Sequence, residues 1–70
     1  MQLYSIVQGV PNQHGILSSY SIVAIFIDYD KAHELFNQMK KQQGMELYRD
    51  GYLMHKPTGV AFCIMYHTAI

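Results

Sequence analysis

Two stretches of this chain, 19–27 and 60–67, carry apolar side chains on both of their faces. In the first, Tyr20, Ile22, Ala24 and Phe26 fall on one side of an extended backbone. Ser21, Val23, Ile25 and Ile27 fall on the other. In the second, Val60, Phe62, Ile64 and Tyr66 alternate with Ala61, Cys63 and Met65. Two-faced strands of this kind are read as covered on both sides. The rest of the chain offers little to cover them with.

One segment has helical period. Ala32, Leu35, Phe36 and Met39 recur at i, i+3, i+4 and i+7, with His33, Glu34, Asn37, Gln38, Lys40 and Lys41 opposite. Asp28 or Asp30 can cap its start, where a negative charge also suits the helix dipole. Lys40 and Lys41 suit the last turn, and Gly44 suits the left-handed position beyond it. The spacing predicts a helix over 29–43.

The remaining elements are short. Residues 3–8 read as a first strand, and Gly9, Pro11, Asn12 and Gly15 mark a long loop over 9–18. Asp50-Gly51 is a preferred pair for a two-residue hairpin, here joining 46–49 to 52–56. Lys56-Pro57-Thr58-Gly59 reads as a type I turn with Pro at its second position. The expected architecture is one α+β domain over residues 1–70. It is a small, mostly antiparallel sheet in the order ββαβββ, with the amphipathic helix on one face.

A single helix shelters one face of such a sheet, and a chain of 70 residues is marginally stable alone. Whichever face the helix covers, an apolar row such as Val23, Ile25, Ile27, Cys63 and Met65, or its counterpart on the other face, is then left for another molecule. The expected partner is an identical chain, as a homodimer or higher homo-oligomer. The alternative is a sheet that curls into a barrel-like closure and buries both faces with its own ends.

The run from Tyr20 to Leu35, with Tyr20-x-Ile22, Phe26-x-Asp28 and Lys31-Ala32-x-x-Leu35, resembles a pattern in small bacterial and phage proteins without an established activity. In those proteins a strand carrying Tyr leads to a strand ending in Phe-x-Asp and into a helix through Lys-Ala. The resemblance spans roughly residues 3–43. It implies an α+β fold and a phage or mobile-element origin, and it supplies no catalytic residues.

Composition narrows the function classes. Five basic residues balance five acidic ones, and Arg49 is the lone arginine. Nucleic-acid binding needs a clustered basic face, so it is not expected. The single cysteine rules out an internal disulfide and fits a reducing compartment. No basic, then apolar, leader follows Met1, and no apolar run approaches the roughly 20 residues of a membrane span. A cytoplasmic protein without membrane contact is expected.

Few residues suggest chemistry. Cys63 with His55 or His67 could form a nucleophile–base pair, but a mid-strand Cys between Phe62 and Ile64 reads as a small buried hydrophobe. His14, His33, His55 and His67 show no metal-ligand spacing, so neither metal nor cofactor is expected. Asp28 and Asp30 are explained by helix capping. The 9–18 loop, with Pro11, Asn12, His14 and Gly15, is longer than a hairpin needs. It is either a binding loop or a lid folded back through Ile16 and Leu17. Six Tyr and five Met suit a protein interface, with Tyr29, Tyr48 and Tyr52 expected to be partly exposed. The expectation is a non-enzymatic module that self-associates through its apolar sheet face, and the phage-like resemblance implies a host protein that it binds and modulates. The alternative is a binder of a nucleotide-like molecule or metabolite, with its pocket at the oligomer seam and the 9–18 loop.

Overall fold

A computed structural model of the chain describes residues 1–15, 17, 19–49 and 51–68. Its elements are β1 (Gln2–Gly9), β2 (Ser21–Phe26), α1 (Tyr29–Lys40), β3 (Met45–Arg49), β4 (Tyr52–His55) and β5 (Val60–Thr68). This is the ββαβββ order of a small α+β fold, with every strand pair antiparallel. The strands lie in the order β2-β1-β5-β4-β3. The first and last strands therefore form the centre, and α1 connects one margin of the sheet to the other. The two margins do not pair, so the sheet is open and the barrel-like closure does not form.

Asp28 begins α1 by accepting the Asp30 backbone N–H at 2.9 Å, as an N-cap carboxylate does. The helix ends at Lys40, three residues short of the expected Gln43. There Lys41 and Gln42 donate three residues back, to the Gln38 and Met39 carbonyls. Gly44 then turns the chain at φ +87°, and these tight turns lead directly into β3. The Asp-Gly hairpin joins β3 and β4 as expected, with Gly51 at φ +80°. Asp50 lies outside the described residues. The next turn closes on the His55 carbonyl, which accepts from both Thr58 and Gly59. That is one residue earlier than the Lys56–Gly59 turn read from the sequence.

The helix face of the sheet holds the larger core. Phe36 and Met39 of α1 pack with Ile6 and Leu53, and Phe26, Phe62 and Ile64 flank them. Ala32 is also buried, while Leu35 is half-buried. The far face has a second core in which Val7, Ala61 and Cys63 pack under Leu17 from the long loop. The chain thus supplies part of its own second lid.

β5 meets the expectation of a strand covered on both faces only from Val60 to Met65, since Tyr66 and His67 are exposed, and β2 does not meet it. β2 is a marginal strand whose Ile22, Val23 and Ile25 are exposed. The helix-face core reaches its Phe26 side and leaves Ile22, Val23 and Ile25 open. Its pairing with β1 is broken by a bulge between Ile6 and Val7, which leaves Val23 out of register.

Candidate functional site

Within the 9–18 loop, residues 12–15 form a hydrogen-bonded turn. Asn12 Oδ1 accepts the His14 N–H at 2.8 Å, and the Asn12 carbonyl accepts the Gly15 N–H at 2.9 Å. This compact turn is an Asx-turn. Arg49 Nη1 then donates to the Gly15 carbonyl at 2.9 Å, while its guanidinium carbon lies 5.9 Å from the Tyr52 ring centre. Asn12 and His14 are exposed, and Pro11 and Gly15 are half-buried. Leu17 is buried against the sheet as the fold-back reading requires, and Ile16 lies outside the described residues.

Of the five residues expected at an interface, the structure groups three at the sheet margin. Ile25 is 57% and Ile27 71% exposed, and Val23 is exposed beside them. Cys63 lies instead beneath Leu17 at 5% exposure, and Met65 is half-buried against the same cluster. The apolar surface that remains open is concentrated on β2 and the residue after it. β2 carries no charged side chain, whereas the opposite margin, β3, carries Glu46 and Arg49.

Cys63 is held as a neutral thiol. Burial pushes its pKa up, and a hydrogen bond with Tyr52 offsets this only in part. A thiol so placed is a poor nucleophile. His67 is hydrogen-bonded elsewhere, with its Nε2 at 2.9 Å from Ser5 Oγ. The sequence gives no local sign of this pair, which spans 62 positions. Its geometry resembles a nucleophile and base, but Ser5 is 1% exposed. No substrate carbonyl can approach Oγ there, and the bond serves to satisfy a buried hydroxyl. No group of three or more His, Cys, Asp or Glu able to hold a metal occurs among the described residues.

At the other end of the helix face, Tyr4 meets Tyr29 and Tyr66 edge-on at 5.6 and 5.5 Å. His33 stacks on Tyr29 at 4.1 Å, and its Nε2 lies 3.3 Å from the Tyr66 hydroxyl. Next to this cluster a cavity of about 550 Å³ opens between α1 and the outer half of β5. His33, Phe36, Asn37 and Lys40 form its helix wall, and Ile64–Tyr66 form its sheet wall. None of the described residues of the 9–18 loop lines it, so among them this cavity is not the loop-built pocket of the ligand reading. Tyr29 and Tyr48 are exposed and Tyr52 is half-buried, as their charged and turn neighbours suggest.

No helix among the described residues is long and apolar enough to cross a membrane. In comparisons with known proteins, no family, curated protein or solved structure matches this chain.

Proposed function

We propose that this chain is a non-enzymatic binding module that self-associates through β2. The observation that carries the reading is the uncharged, apolar sheet margin formed by Ile22, Val23, Ile25 and Ile27. Unpaired strand margins of soluble proteins are ordinarily blunted with charge, proline or a covering segment. Here a bulge is present, but the outward side chains stay apolar. An antiparallel β2–β2 contact about a two-fold axis would continue the sheet and bring no like charges together. Cross-strand neighbours would partly cover these apolar side chains, and the pairing would satisfy the open backbone groups of β2.

The burial of Cys63 under Leu17 supports a contact at the sheet margin rather than across the whole far face. A host protein as a further target rests on the phage-like Tyr20–Leu35 run. Light scattering at micromolar concentration tests the proposal. A dimer or larger species is expected, and Ile25→Asp should convert it to a folded monomer. A wild-type species of 8.1 kDa at that concentration overturns it.

A further inference from the structure

The bulge in β2 decides how a second copy can lie along its open edge. Phe26, Ile25, Ala24, Ile22 and Ser21 stand opposite the consecutive β1 residues Tyr4, Ser5, Ile6, Val7 and Gln8, and Val23 is skipped. Ile22 and Ile25 are three apart in sequence, a spacing that puts side chains on opposite faces of a regular strand. Opposite Val7 and Ser5, which are two apart, they instead share the far face, where Val7 belongs to the second core. Their backbone N–H and C=O groups also point the same way, because those of residues two apart on β1 do. Ser21, Ala24 and Phe26 lie on the other face, on which Phe26 packs against the larger core. The outer edge of β2 has no neighbouring strand among the described residues.

Resting on the self-association reading, we infer that two copies meet antiparallel about a two-fold axis at Ala24. Ile22 of each copy then lies opposite Ile25 of the other, and Ser21 lies opposite Phe26. A two-fold axis normal to the sheet leaves every side chain on its own face, so opposed residues must share a face. An axis at Ala24 meets this condition and pairs all five of the residues that β1 pairs. An axis at Ile25 meets it but engages only Ala24, Ile25 and Phe26, and an axis at Ile22 engages only Ser21, Ile22 and Ala24. An axis at Val23 sets Ile22 against Ala24, on opposite faces. Size and charge favour the same choice. A two-fold contact sets one residue against itself, and Ala24 is the smallest side chain of β2. The strand carries no charge that its copy would repel. The joined sheet has both helices on one face and both Leu17 residues on the other, with Ile22 and Ile25 side by side across the seam.

Disulfide formation between single-cysteine proteins tests this register, in a Cys63→Ala background and beside light scattering of the wild type. Ile22→Cys and Ile25→Cys proteins, mixed in denaturant and refolded together, should form a covalent dimer on mild oxidation. Each refolded alone should not, because like residues then lie about 7–8 Å apart on a diagonal, beyond the reach of a disulfide. The mixed pair should cross-link at least about tenfold faster than Leu47→Cys, on the opposite margin, because its thiols are held together. A wild-type monomer ends the self-association reading, and this register with it. A wild-type dimer in which Ile25→Cys or Ile22→Cys cross-links alone, or in which the mixed pair reacts no faster than Leu47→Cys, overturns the axis at Ala24 and leaves self-association standing.

Discussion

Arg49 Nη1 donates to the Gly15 carbonyl at 2.9 Å across 34 positions, and so fastens the long loop to the β3–β4 hairpin. The fastening sets how firmly Leu17 is pressed onto Val7, Ala61 and Cys63. Leu17→Ala removes most of a buried side chain and should cost about 2–3 kcal/mol in chemical denaturation. Arg49→Ala leaves the loop's own Asx-turn intact and should cost under about 1 kcal/mol, because the bond is exposed. Its larger effect should be kinetic: Cys63 should react faster with a thiol reagent as the lid loosens. Equal labelling rates in Arg49→Ala and the wild type would show that the bond does not hold the lid.

The Ser5–His67 hydrogen bond predicts unequal costs for its two partners. Ser5→Ala removes the buried hydroxyl, and the exposed His67 is hydrated instead. His67→Ala strands Ser5 Oγ in the sheet without a partner and should cost about 1–3 kcal/mol. The double variant should therefore be more stable than His67→Ala alone. A double variant that is less stable than either single one would rule this out. A fluorophosphonate probe should leave Ser5 unlabelled, in keeping with its burial.

Stability at alkaline pH should depend on Cys63. Burial raises the pKa of its thiol above the ordinary value of 9.0, so the folded state favours the protonated form. The stabilisation from this group is complete below the unfolded-state pKa. It is lost as pH rises through the higher folded-state value. Between neutral pH and about pH 10, the wild type should lose stability faster than Cys63→Ala. Parallel pH profiles for the two proteins would contradict the burial described here.

Gly9 sits where the chain leaves β1 and passes close to its own return. A β-carbon there would collide with the Ser19 carbonyl oxygen and crowd Tyr20 Cα. Both obstacles are backbone, which cannot swing aside as a side chain can. Gly9→Ala should therefore destabilise by about 1–3 kcal/mol and disturb the β1–β2 pairing. Gly51→Ala meets no neighbour and should show only the strain of its positive φ. If Gly9→Ala melts like the wild type, the close approach is not present in solution.

Local signals in the sequence were enough to place the helix start, the Asp-Gly hairpin and the six elements in order. Each depends on residues close in the chain: Asp28 beside Asp30, or Ala32 with Phe36 and Met39. The place of β2 in the sheet was not legible. Periodicity reads Ser19–Ile27 as doubly covered, but it cannot tell cover by the same chain from apolar surface left open at a margin. Leu17 was recognisable as a possible lid because it is an apolar residue near the end of a polar loop. The Ser5–His67 bond had no such sign. It arises from pairing the first strand with the last, a choice that hydrophobic pattern alone does not make.

That central pairing has a consequence for how the protein comes into being. Gln2 lies opposite Thr68, so β1 finds its main neighbour only after nearly everything between them has been synthesised. Until then Ile6 and Val7 have no β5 to shield them, and the nascent chain holds a hairpin and a helix without a finished core. Contacts of such long sequence separation slow folding and prolong the exposure of sticky intermediates. Ribosome-bound fragments that stop before residue 60 should be the ones most in need of a chaperone.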